Sequence, residues 1–424
     1  MSRLEPFMGP YGLVELEEGA AFPHFNDGDV LVVISGARQY KLHSSLLRGS
    51  SIFFRIHLRD EWAAKLCTWA TDRGVTTRYR FELRDSEDDP VSDSEIPYKL
   101  QMTGLDEMGR PINALVGFGL DLENGVAIDP HYEAFDIVLA AIYSMPIRFS
   151  SQLPDILPIA IKVVDVAEYL NCIEVVKSHI EAAILATTQT LYQSIANKPV
   201  EWLKFAVRMK SRVIYREGLI HGVGQFYIPG VVFNNAHNGD GGFVAHLDAT
   251  TAEQLTYKAE RAKYHVITTL KKLLSYYQDH LFKVNDGDGE SISKGRYSSD
   301  IFGWMALTLF RQWLTTNISA ITEASKPIPD MGFELCSRLA YGNRGYAGYG
   351  YLDTAAINEF NKDFPMSNKG IAAFRDQLDI IKDDVAGIVS HLMINESNVN
   401  LSLVRPEIKY FLFESPHELD YHFA

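Results

Sequence analysis

The stretch that most constrains this chain runs from Asp29 to Arg55. Val30 to Ile34 is a β-branched and aliphatic run, and Gln39-Tyr40-Lys41-Leu42 returns from it behind Ser35-Gly36-Ala37. Such residues favour a pleated, buried surface, and a glycine-centred turn between two short runs gives a hairpin. Leu46, Leu47, Phe53 and Phe54 then recur at helical spacing, so an apolar helix follows the hairpin at once.

At 424 residues the chain exceeds what one hydrophobic core normally serves, and two domains are expected. The net charge of −14 argues against general nucleic-acid binding, which needs clustered Lys and Arg on phosphates. Cys67, Cys172 and Cys336 lie too far apart in sequence for a disulfide framework or a zinc site, so they read as free thiols in a reducing compartment. The first residues lack the apolar segment of a signal peptide, and no run approaches the ~18 apolar residues that cross a bilayer. A cytoplasmic or nuclear location is the expectation.

Residues 1–25 read as an irregular arm rich in Gly, Glu and Pro. Between about 61 and 130, Tyr79, Phe81 and Leu83 alternate with charged residues, and Tyr98, Leu100 and Met102 alternate with polar ones. That period predicts two half-buried strands. The segment between them, Asp85 to Glu95, holds six acids in eleven residues and reads as a solvated loop. Phe135, Val138, Leu139 and Ile142 mark a helix; Leu157 to Leu170 and Cys172 to Ala186 mark two more.

The second half is strongly helical. Trp202, Phe205, Ala206, Met209 and Val213 keep a spacing of three to four that Ile214, Gly218 and His221 extend. Leu255, Ala259, Ala262, Val266, Leu270, Leu273, Tyr277 and Leu281 predict a helix of about 40 Å. Its stripe suits packing on its own domain, with a seam between chains as the alternative. Ser299 is a plausible N-cap for a helix through Phe302, Met305, Leu309 and Trp313. Lys369 to Ile394 carries Ile371, Phe374, Leu378, Ile381, Val385, Ile388 and Leu392 on one face. Loops are expected at 231–250, at 285–293 and in the Gly/Tyr-rich stretch Tyr341 to Tyr351.

No catalytic motif is present. There is no Gly-x-Ser-x-Gly elbow, Walker loop or His-Glu-x-x-His pair. His417 and His422 would point about 140° apart on a helix, which does not hold a metal. Asp286, Asp288 and Glu290 alternate as in a calcium loop, but Ser291 and Tyr297 replace the turn glycine and the bidentate Glu. Gly345, Gly348 and Gly350 follow no strand and form no phosphate cradle. Arg208, Lys210, Arg212 and Arg216 read as a basic helix face balanced by nearby acids. No catalytic, cofactor or metal residue is assigned, and the expected function is non-enzymatic.

The hairpin, the helix and the Ser51-Ile52-Phe53-Phe54-Arg55 step resemble the start of a BTB/POZ domain. Tyr132 to Ser144 and Leu157 to Leu170 resemble its later helices, and the helical region after residue 187 resembles BTB proteins of filamentous fungi. The fold class this implies is α+β: a BTB/POZ-like module over 26–186 with an inserted β-hairpin at about 61–130, then a mainly α-helical domain over 187–424. The resemblance assigns Asp29 and His43 as structural landmarks, with His43 a satisfied buried histidine. It implies a protein-interaction scaffold that pairs with itself and with other proteins, with no nucleic acid and no membrane. Ser44 stands where many family transcription factors have a basic residue, and Arg59 to Ala64 lacks the cullin-binding pattern. Adaptor work for a cullin-type ubiquitin ligase, structural self-assembly and an enzyme site in the helical half remain the alternatives. Phe53, Phe54, Leu58 and Trp62 are the candidate interface, with a core role as their other reading.

Overall fold

The structure is a computed structural model that describes residues 24–35, 38–85, 98–112, 130–147, 149, 155–228, 247–281, 300–322, 331–342, 350–403, 408–417 and 421. The chain divides into two units, Met1–Ser194 with Phe205–Ser211, and Ile195–Lys204 with Arg212–Ala424. The fold class is α+β: a small mixed sheet in the first unit and a helical C-terminal region.

In the first unit, β1 (Val30–Val33) and β2 (Gln39–Leu42) pair antiparallel with Val30 opposite Leu42 and Val33 opposite Gln39. The turn residues Gly36 and Ala37 lie outside the described residues. Next come α1 (Ser44–Ser50), α2 (Ile52–His57) and α3 (Thr68–Asp72). The two alternating segments are strands, β3 (Tyr79–Asp85) and β4 (Tyr98–Met102), paired antiparallel. They are not an insertion beside the sheet. β3 lies parallel to β1, with Val30 opposite Tyr79, and the strand order is β2-β1-β3-β4. Parallel neighbours need a long crossover, and residues 43–78 supply it.

Asp29 ties this arrangement together. Its carboxylate accepts bonds from the Ser44 backbone N–H and the Ser44 hydroxyl, both at 2.6 Å, which fixes the start of α1. Its carbonyl accepts from Arg78 and Tyr79 at 2.7 and 3.1 Å, which fixes the entry to β3. Ser51 caps α2 by accepting from Phe54 N–H and donates to the Leu170 carbonyl at 2.5 Å. Phe54 and Leu58, four apart on one side of the turn, are fully buried, and Phe54 meets Phe81 edge-on at 5.5 Å. α4 (Pro130–Ile142), α5 (Leu157–Tyr169) and α6 (Ile173–Leu185) complete the unit, and the Tyr169 hydroxyl accepts from Leu100 N–H at 2.9 Å.

The helices α7 (Gln189–Asn197) and α8 (Pro199–Met209) follow, then α9 (Arg212–Gln225). The unbroken spacing from Trp202 to His221 conceals a stop. Lys210 adopts a left-handed φ of 52° and the Ser211 N–H returns to the Ala206 carbonyl at 2.9 Å, a left-handed helix end. The long helix is α10 (Ala249–Leu274), capped by Asp248. It stops seven residues before the expected Leu281, where Ser275 leaves the helical conformation with ψ near 2° and its hydroxyl donates to the Lys271 and Lys272 carbonyls.

α11 (Ile301–Thr322), α12 (Phe333–Tyr341), α13 (Thr354–Asp363) and α14 (Asn368–Val389) build the rest of the second unit. Phe374, Leu378, Ile381, Val385 and Val389 of α14 are all fully buried. They share one core with Phe310 and Leu314 of α11, Leu335 and Leu339 of α12, and Val266 and Leu273 of α10. The tail after α14 is clamped onto α9 and α10. Glu217 accepts from Asn398 through both carboxylate oxygens at 2.9 and 2.6 Å, His221 meets the Tyr410 hydroxyl at 2.9 Å, and Lys258 donates to the Ser415 carbonyl at 3.2 Å. The approach is so close at Gly224 that a Cβ there would collide with the Phe411 carbonyl and the Tyr410 ring. Gly224→Ala is therefore expected to lower stability by about 2–3 kcal/mol, an overpacking penalty in a site with no room to yield. Urea unfolding of the two chains measures it.

Candidate interaction surfaces

The four residues proposed from sequence do not share one environment. Phe54 and Leu58 are fully buried and hold α2 to the sheet. Phe53 is half-buried among Phe54, His57, Phe81 and Tyr169. Trp62 is exposed, beside Arg59 and His57. On α2 it is Ile52 and Ile56, not the aromatic pair, that face solvent.

His43 is satisfied but not fully buried. Its ring bonds the Tyr143 hydroxyl at 3.2 Å and the Asp27 carboxylate at 3.1 Å. The basic run beyond it is balanced. Arg208 bonds Asp165 and Glu168, Lys210 bonds Glu174, Arg216 pairs with Glu217 and Glu396, and Arg212 lies over the Tyr421 ring. Cys172 and Cys336 are buried free thiols, and burial pushes the Cys172 thiol up to about 12, which keeps it protonated and unreactive.

Among the described residues no group of three or more His, Cys, Asp or Glu could hold a metal ion. No helix among them is long and apolar enough to cross a membrane. The arm over 1–23, the acidic stretch 86–95, the loops at 231–246 and 285–293, Ser299, Gly345, Gly348 and His422 lie outside the described residues. From the Gly/Tyr-rich stretch, Tyr351 is buried and stacks on Trp313 at 4.5 Å.

Two surface features of the helical unit escaped the sequence reading. The first is a groove of about 360 Å³ between α12 and the segment after α14, lined by Phe333, Tyr341, Met393, Ile394, Leu401 and Ile408 among others. None of the described residues that line it is charged. Ile394 and Leu401 are half-exposed on its rim. They belong to no periodic element, so no sequence pattern marks them. The second is the outer face of α10, where Tyr257, Tyr264, Ile267 and Leu274 stand in solvent. Their seven-residue repeats were a readable signal, hidden behind the stronger inward stripe.

With that geometry in place, comparison with protein-family models matches residues 278–391 to the FF domain, in its fungal form. The match takes in α11 to α14. No curated protein and no solved structure matches the chain. FF domains are protein–protein interaction modules. This finding overturns the BTB/POZ resemblance: the family model that fits is the FF domain, and it lies in the helical half. The resemblance rested on a hairpin followed by apolar helices, and such short patterns recur wherever a small sheet is covered by helices.

One buried cluster carries charge rather than contact. Arg38, fully buried after the β1–β2 turn, forms an ion pair with Asp136 of α4. Glu133, one turn earlier on α4, is 1% exposed, and neither of its oxygens has a hydrogen-bond partner among the described residues. Burial pushes its carboxyl up to about 7, with Arg38 pulling the other way. The folded chain thus holds this proton more tightly than the unfolded one. The group's contribution to stability is greatest below pH ~4.5 and is lost as pH rises through about 7, a change on the order of 2 kcal/mol. Glu133→Gln is expected to match the wild type near pH 4.5 and to be the more stable chain at pH 8, by urea unfolding at both pH values.

Proposed function

We propose that this chain is a non-enzymatic protein that acts by binding other polypeptides, with its FF-like helical half as the docking element, and that it also pairs with itself. The observation that carries the reading is the FF-domain match over 278–391. The groove at the end of that segment supports it. Its described lining is mainly apolar, with Ser337 and Asn395 as its small polar groups and no charge among the described residues, and α12 and the clamped tail hold its walls. Such a site suits the apolar side chains of a protein partner, because a charged group would lose its hydration there with no counter-charge to replace it.

A photo-crosslinking amino acid at position 401, introduced into the full chain in its native cells, tests the docking role. The expected result is one or a few discrete protein adducts, lost when Ile394→Glu places a carboxylate on the rim. Adducts no different from those formed at the exposed position 359 on α13 would contradict it.

A further inference from the structure

α10 has two working faces. Leu255, Ala259, Ala262, Val266 and Leu273 point into the core of the second unit. Tyr257 and Tyr264, about half a turn away, and Ile267 and Leu274, about 100° away, are 66, 67, 41 and 50% exposed, and no described element covers them. Tyr257 and Tyr264 are seven residues apart, and so are Ile267 and Leu274. That interval keeps side chains in one seam between two helices.

Among the described residues, exposed charge without an ion-pair partner is sorted along the same helix: Glu253 lies in its first half, Lys271 and Lys272 in its second, while Lys258 is buried on the Ser415 carbonyl and Arg261 pairs with Glu414. Glu260 is engaged by the Tyr227 hydroxyl and, at 3.7 Å, by Lys263. Glu253 and Lys271 are exposed and have no ion-pair partner among the described residues.

This order of charges selects one partner geometry. Two copies laid parallel would set Glu253 against Glu253 and Lys271 against Lys271. Laid antiparallel with the axis at Tyr264, each copy sets Lys271 opposite the other's Tyr257, within cation–π reach. It also brings Lys271 within about 6 Å along the axis of the level of Glu253, which a lysine side chain spans. Every contact away from the axis then occurs twice, as a closed two-fold interface requires. Tyr264 packs on its own symmetry mate, and in this register Ile267 lies level with Arg261 of the other copy and Leu274 with its Gln254.

We propose that two copies of this chain pair through the outer face of α10, antiparallel, with the two-fold axis at Tyr264. The proposal rests on the reading that the chain pairs with itself and assigns the surface. A single-helix seam is smaller than the ~800 Å² per partner of a standard interface, so the dimer is weak, in the micromolar range.

Sedimentation equilibrium of the full chain, across a concentration series through the micromolar range, tests it. The expected result is a monomer–dimer equilibrium. Tyr264→Glu, which sets two carboxylates face to face on the axis, should weaken it at least tenfold. Glu253→Lys and Lys271→Glu should each weaken it about fivefold at low salt, and the chain carrying both should recover to within about twofold of the wild type. All three positions are exposed, so the variants should fold, and circular dichroism checks this. A dimer unmoved by Tyr264→Glu overturns the assigned surface and leaves self-pairing standing. A dimer broken by Tyr264→Glu but not rescued by the charge exchange overturns the antiparallel arrangement. A monomer at every concentration overturns self-pairing itself.

Discussion

The buried stripe on α14 is the constraint on which the helical half depends. Phe374, Leu378, Ile381, Val385 and Val389 recur every three or four residues and are wholly withdrawn from water, each worth on the order of 2 kcal/mol of burial. α10, α11 and α12 all pack against this one helix. Two outward features follow from that choice. α10 spends one face on the shared core, which leaves its tyrosine face to solvent. The end of α14 delivers Met393 and Ile394 beside α12, where the returning tail closes a groove.

The tail itself shows how polar groups fix an irregular segment. Glu217 is fully buried, and its carboxylate is filled by Asn398 and Arg216. His221 is also fully buried. Burial holds it down to about 3, so it stays neutral and meets the Tyr410 hydroxyl, which in turn accepts from Gln225. Groups of this kind attract attention as catalytic candidates. Here each holds a tail residue, Asn398 for Glu217 and Tyr410 for His221, which ties the irregular segment to α9.

The local part of the fold was legible. The strands at Tyr79–Asp85 and Tyr98–Met102, the hairpin before them and the apolar face of α14 follow from periods of two and of three to four in single segments. What was not legible is non-local. The parallel pairing of β1 with β3 joins residues about fifty positions apart, and nothing in either strand names its neighbour, so a central strand passed for an insertion. Helix ends were blurred for a related reason. The stop after Met209 depends on a left-handed lysine, and at the stop after Leu274 the backbone of Ser275 leaves the helical conformation, and neither interrupts the apolar spacing. The candidate surfaces were the least legible of all. An aromatic such as Phe54 looks alike in sequence whether it fills the core or faces a partner, and the groove is assembled from α12, the end of α14 and the tail.

Amide hydrogen exchange on the full chain, wild type against Leu378→Ala, tests the central claim most directly, that one stripe on α14 organises the helical half. The account predicts that this truncation, costing about 2–5 kcal/mol, lowers protection together across Val266–Leu273, Ile301–Thr322 and Phe333–Tyr341. Loss of protection confined to α14, with α11 and α12 unchanged, would contradict it.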